Sequence, residues 1–196
     1  FLKATVDVVH KNGGVFIADE VQPGFARTGQ AFFGFARHGI VPDMITMGKP
    51  MGNGIPISGL AAKEDVLAAF SDKLPYFNTF GGNPVSIAAA QAVLKYIKDE
   101  NLQEHCKKAG AALLKALKEV QERHPESVGD VRGAGLFLGF EFVKNDGNKT
   151  PDKDMALNVI EMLRDEHILT SVIGHYGNIL KLRPPMVFSE NDIDWF

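Results

Sequence analysis

Val15-Phe16-Ile17-Ala18 is an uninterrupted apolar run that ends at Asp19, and it follows a helical pattern halted by Asn12-Gly13-Gly14. A short run with no polar alternation calls for burial on both faces, the condition of a strand inside a parallel sheet. In open α/β sheets, ligands collect at the carboxyl ends of the strands, which is where Asp19 stands. Met44-Ile45-Thr46-Met47 repeats the pattern and ends at Gly48-Lys49, and Ile55 to Leu60 reads as a third strand before a helix beginning near Lys63. Strands alternating with helices predict an α/β layer architecture.

The rest of the chain divides around a polar break. Phe1 to His10 is helical, with Leu2, Val6 and Val9 on one face. Pro84 suits the first turn of a long helix through Ala88, Val93 and Ile97, and a second helix spans Leu102 to Arg123. Between them lies Lys98-Asp99-Glu100-Asn101. Beyond it, Val131 to Val143 reads as two short strands around Gly133 and Gly135, and Met155 to Arg164 as a helix. Ile168 to Val172 and Ile179 to Leu182 read as further strands. These patterns predict part of a large parallel-sheet domain over residues 1–99 and a smaller α+β domain over 100–196. Helical patterns run to both chain ends without an initiating methionine, which predicts a piece of a longer polypeptide.

Composition narrows the function classes. With 45% hydrophobic and 23% charged residues in 196, the chain has the material for a sizeable core. A formal net charge of -3 gives no basic field for nucleic acid or an anionic membrane, so small molecules are the expected ligands. The single cysteine, Cys106, excludes an intrachain disulfide, and the six histidines show no metal-ligand spacing. No metal site and a cytoplasmic location are expected. No apolar run approaches the roughly 20 residues of a membrane helix.

Three local features carry chemistry. Asp19 reads either as a turn or capping aspartate, or as an acid aimed at a cationic ring nitrogen. Lys49 opens Gly48-Lys49-Pro50-Met51-Gly52-Asn53-Gly54, where small residues let the backbone approach a bound group. Alone it reads as a surface lysine or a phosphate-binding one. The Walker A spacing is absent, and Pro50 occupies the position of the required hydroxyl residue. Asn78-Thr79-Phe80-Gly81-Gly82-Asn83-Pro84 brings a hydroxyl and backbone N–H groups to a helix amino terminus, which suits either a phosphate or a plain connection capped by Thr79.

Taken together, these blocks resemble the class III aminotransferases, pyridoxal-phosphate (PLP) dependent enzymes of fold type I. Asp19-Glu20-Val21-Gln22, Gly24-Phe25, Arg27-Thr28-Gly29, Pro42-Asp43, Lys49 and Gly52-Asn53-Gly54 follow the family's order and spacing. The block at 78–84 and Arg132-Gly133-Ala134-Gly135-Leu136 continue it, so the resemblance covers essentially the whole chain. It implies that Lys49 holds PLP as a Schiff base and moves the substrate proton. It also implies that Asp19 pairs with the pyridine nitrogen, that Val21 packs on the ring and that Gln22 lies near the phenolic oxygen. Thr79 would bind the cofactor phosphate of a neighbouring subunit, which implies a homodimer with shared sites.

In the same family an arginine near the end of the chain receives a substrate carboxylate, and Lys181 occupies the aligned position. Lys181 is therefore either a substrate-binding residue or a lysine that snorkels to solvent. The blocks at 76–82, 128–133 and 180–186 are most similar to the branch holding the alanine–glyoxylate aminotransferase 2-like phospho-lyases. The expected reaction is amino transfer from an amine or amino acid to a keto acid. Phosphate elimination from phosphoethanolamine or a related amine is the alternative, and an inactive dimerisation module is a reading from another class.

Overall fold

The glycine pair ends the first helix, α1 (Leu2–Lys11), as its position implies. Gly13 adopts φ 73, and the Gly14 N–H returns to the Val9 carbonyl at 2.9 Å. A Cβ on Gly14 would lie 2.9 Å from Val9 Cγ1, so only glycine fits that return. In this computed structural model the chain is described over residues 1–196, the side chain of Ala69 excepted. It divides into two compact units, Phe1–Gln103 and Glu104–Phe196.

In the first unit, β1 (Ile17–Asp19), β2 (Met44–Met47) and β3 (Gly59–Ala62) form a sheet in that order. The β1–β2 pair is parallel, with Asp19 opposite Thr46, whereas β2–β3 is antiparallel, with Met47 opposite Gly59. The helices α2 (Glu64–Ser71) and α3 (Pro84–Asp99) follow. The third strand begins later than the expected 55–60. Gly52 is buried with no room for a side chain, a Cβ there meeting the Ile55 carbonyl at 2.1 Å. The Ile55 N–H closes that turn onto Gly52 at 3.1 Å, and Pro56 has no N–H for a ladder. β1 is also an edge strand: Ala18 is buried but Ile17 is 51% exposed. The two-sided burial that its apolar run calls for is thus not supplied by the described residues.

In the second unit, α4 (Leu102–Arg123) turns Cys106, Ala109, Leu113 and Leu117 to one face at helical spacing. That face covers an antiparallel sheet of β4 (Val128–Ala134), β5 (Phe137–Phe142), β6 (Val172–Ile173) and β7 (Ile179–Leu182), ordered β4-β5-β7-β6. Alternate residues Leu138, Phe140, Leu180 and Leu182 point into the core. α5 (Lys153–Asp165) contributes Ala156 and α6 (Glu190–Trp195) contributes Ile193.

The Arg132–Leu136 motif owes its glycines to close packing. A Cβ on Gly110 of α4 would lie 2.2 Å from the Gly135 carbonyl carbon, and Gly135 itself has φ 53. The strand expected over Ile168–Val172 is confined to Val172–Ile173. His167 is left-handed at φ 64, and the Ile168 N–H folds back to the Leu163 carbonyl at 2.8 Å. Residues 167–168 therefore close α5 and do not join the sheet.

Candidate active site

Two strands running in parallel put their carboxyl ends side by side, about 4.8 Å apart. β1 delivers Asp19 there and is followed at once by Glu20, Val21 and Gln22. β2 delivers Thr46 and then, across Gly48, Lys49. The register Asp19–Thr46 is what joins the two sequence blocks. Gly48 is buried, and a Cβ there would lie 4.0 Å from Val21 Cγ1, so the backbone that carries Lys49 passes against Val21.

Lys49 is exposed and has φ 41, in the left-handed region that costs a side-chain-bearing residue on the order of 1 kcal/mol. It opens a short 3-10 turn, Lys49–Met51, which Pro50 favours. Such strain persists where the surroundings over-determine it, as at a site whose lysine has to be aimed.

Asp19 partly follows its bland reading, since Oδ1 accepts the Val21 N–H at 3.0 Å in a local turn. That is the side chain's sole hydrogen bond among the described residues, and Oδ2 remains available to a cation. Val21 and Gln22 are half-buried. Beside them an open cleft of about 700 Å³ is lined by Val21, Thr46, Met47, Ser58, Tyr76 and Asn78, among others. Its volume suits a cofactor-sized ligand.

Thr79 is exposed in the loop that forms one wall of this cleft, and its hydroxyl makes no hydrogen bond among the described residues. It does not cap α3. Asn83 does so, accepting the Ser86 N–H at 3.0 Å. The N–H groups of Phe80 and Gly81 are also occupied locally, by Asn78 Oδ1 at 3.1 and 2.9 Å. The Thr79 hydroxyl is left exposed and unengaged among the described residues.

Lys181 belongs to the second unit. It lies on the face of β7 away from Leu180 and Leu182, opposite Gly139. With Arg183, Thr170 and Ser171 it lines a cleft of about 500 Å³. Its N–H and C=O are engaged, with the Ser171 carbonyl at 2.8 Å and the Thr170 hydroxyl at 3.2 Å. His175 is exposed, its ring edge-on to Tyr176 at 4.7 Å.

Two acids that the sequence blocks contain without a role gain partners in the structure. Glu20 is 2% exposed, and its carboxylate accepts the N–H groups of Gly34 at 2.7 Å and Phe35 at 2.8 Å. Asp43 lies at the amino end of β2, remote from the ligand edge. Its carboxylate accepts from Lys63 Nζ at 2.8 Å, His10 Nε2 at 2.7 Å and the Phe16 N–H at 2.7 Å.

The Lys63 hydrogen bond, then those of Phe16 and His10, hold the Asp43 carboxyl well below the usual carboxylate range. A depressed folded-state pKa stabilises the fold above the unfolded value near 4, and that contribution is lost as pH falls below it. Thermal unfolding between pH 6 and 2 should therefore show an acid-side loss of Tm. Asp43→Asn should start with a lower Tm and show less of that loss.

The residues present fit pyridoxal phosphate: Val21 and the loop that carries Thr79 line the cleft, while Asp19, with an available oxygen, and Lys49 lie within two residues of the lining residues Val21 and Met47, at the ends of β1 and β2. The family model for class-III aminotransferases matches residues 1–196. This chain belongs to the class III aminotransferase family. Members of that family are PLP-dependent aminotransferases and lyases, and the fold is that of fold type I.

Among relatives of this class III chain, ethanolamine-phosphate phospho-lyase homolog 1 of Caenorhabditis elegans is 43% identical over 196 residues, covering 98% of this chain and 42% of that protein. Alanine–glyoxylate aminotransferase 2 homolog 2, mitochondrial, of Arabidopsis thaliana is 43% identical over 195 residues, covering 100% of this chain and 40% of that protein. A phospholyase from Arthrobacter, solved in complex with phosphoethanolamine, matches with a TM-score of 0.94 at 39% identity, over 98% of this chain and 46% of that one. The chain spans about two fifths of the curated relatives it matches.

Proposed function

We propose that Lys49 is the covalent carrier and proton-transfer residue of a PLP-dependent enzyme acting on a primary amine. The observation that carries this reading is the convergence of Asp19 and Lys49 at the carboxyl ends of two adjacent parallel strands, with Lys49 held in a left-handed conformation. Bound through a Schiff base, the cofactor supplies an electron sink for the carbon that bears the amine.

The roles of the chain's own side chains are those that the family resemblance implies, and their chemistry is compatible with them. Asp19 offers a carboxylate to the ring nitrogen and keeps it protonated. Val21 offers an apolar surface to the ring, and Gln22 an amide to the phenolic oxygen. Lys49, once displaced by the substrate amine, is a free base that takes the proton from the neighbouring carbon. Thr79 offers its hydroxyl to the cofactor phosphate of a neighbouring subunit, so the working protein is a homodimer.

The reaction we put first is phosphate elimination from phosphoethanolamine or a related phosphorylated amine. A proton leaves the amine-bearing carbon for Lys49, and the C–O bond on the next carbon breaks with its electron pair going to phosphate. Water then releases ammonia and an aldehyde. Lys181 is compatible with this order, because a lysine binds phosphate as a point charge and the arginine fork that clamps a carboxylate is missing at its position. The Caenorhabditis and Arthrobacter proteins support it by name.

Amino transfer to a keto acid is the second reading, favoured by the Arabidopsis relative at equal identity. The same proton step serves both. The full-length, PLP-loaded protein given phosphoethanolamine should release inorganic phosphate, and Lys181→Met should raise KM roughly tenfold or more, the scale of one charge-assisted contact. Absence of phosphate release, with amino transfer to a keto acid intact, would reverse the order of the two reactions.

A further inference from the structure

Glu20 has no part in the chemistry above, yet it is the most deeply buried acid among the described residues, at 2% exposure. Burial of a carboxylate is costly unless its oxygens are satisfied. Here the two oxygens accept separate N–H groups, Oε2 from Gly34 at 2.7 Å and Oε1 from Phe35 at 2.8 Å. A glutamine could satisfy one of these but would turn its NH₂ toward the other donor. The backbone of Glu20 is held as well: its N–H donates to the Thr46 carbonyl at 2.9 Å and its carbonyl accepts the Gly24 N–H at 3.2 Å.

The loop that Glu20 closes is built against its own preferences. Phe25 and Ala26 take left-handed φ values of 58 and 66. Gly34 admits no side chain, since a Cβ there would lie 2.7 Å from Pro23 Cβ. Strained, closely packed backbone of this kind needs an anchor. The anchor sits between Asp19 and Val21, whose N–H is bonded to Asp19 Oδ1 at 3.0 Å.

We propose that Glu20 is a positioning residue, which clamps the far end of its loop, at Gly34-Phe35, to the end of β1 and thereby fixes the Asp19 carboxylate for the ring nitrogen. This rests on the PLP reading of Asp19 and Lys49. If it is right, Glu20→Gln loosens Asp19 without touching the cofactor, and it mimics in part the loss of the Asp19 charge.

The test uses the full-length, PLP-loaded protein and the pH dependence of its visible absorbance, with wild type, Asp19→Asn and Glu20→Gln side by side. The titration midpoint of Glu20→Gln should move in the same direction as that of Asp19→Asn, by about half a pH unit or more. A lower Tm with an unmoved midpoint would mean that Glu20 only supports the fold, and it would overturn the proposal. Should Glu20→Gln fail to fold, Gly34→Ala displaces the partner N–H and leaves the carboxylate in place. It should move the midpoint in the same direction, and no movement would again overturn the proposal. Failure of the PLP reading is told apart from these results by the wild type, which would then show no cofactor band.

Discussion

Lys49→Ala should abolish turnover, lowering kcat by on the order of 10⁴-fold or more, because covalent attachment and proton transfer are lost with one amine. The loss should come without unfolding. Lys49 is exposed and its side chain has no hydrogen bond or ion pair among the described residues, while alanine and lysine bear a φ of 41 about equally badly. The discriminating pair of measurements is therefore kcat and Tm. A collapse of the first with the second nearly unchanged is expected. A Tm drop that parallels the loss of activity would instead make Lys49 a structural residue.

The second large effect is expected at Asp19. Asparagine keeps the Oδ1 that accepts the Val21 N–H at 3.0 Å, so the turn after β1 survives, and only the negative charge is removed. If that charge holds the ring nitrogen protonated, Asp19→Asn should lower kcat by about 10²- to 10³-fold, the scale of losing one preorganised electrostatic contact in an active site. Asp19→Glu retains the charge but lengthens the arm, and should recover part of the loss. Equal activity of wild type and Asp19→Asn would return Asp19 to its turn role.

Much of this architecture was legible because its causes are local. α4 and β7 lie where periodicity and polar breaks put them, at Leu102–Arg123 and Ile179–Leu182. β2 was legible for the same reason, as an apolar run closed by Gly48-Lys49. The misplaced strands had non-local causes. Residues 55–58 are as apolar as a strand, but the Gly52 turn and Pro56 delay pairing until Gly59 meets Met47. Residues 168–172 have a strand's composition, but Ile168 serves to close α5 and only Val172 of them enters β6.

At the site, the candidate residues come from the resemblance of the sequence blocks to a family, and their geometry could not be read from the sequence. Nothing in the periodicity sets Asp19 opposite Thr46, puts Lys49 at a left-handed φ, or assigns the α3 cap to Asn83 in place of Thr79. Glu20 and Asp43 are the clearest cases. An acid in a sequence looks solvated until the fold shows which N–H groups and cations surround it.

The central claim is that Lys49 carries the cofactor, and the most direct measurement is borohydride reduction of the PLP-loaded, full-length protein followed by proteolysis and mass spectrometry. The account predicts that the reduced phosphopyridoxyl group is found on the peptide containing Gly48-Lys49-Pro50 and on Lys49 within it. A stoichiometric adduct on another lysine, or none in protein that has taken up the cofactor, would contradict it.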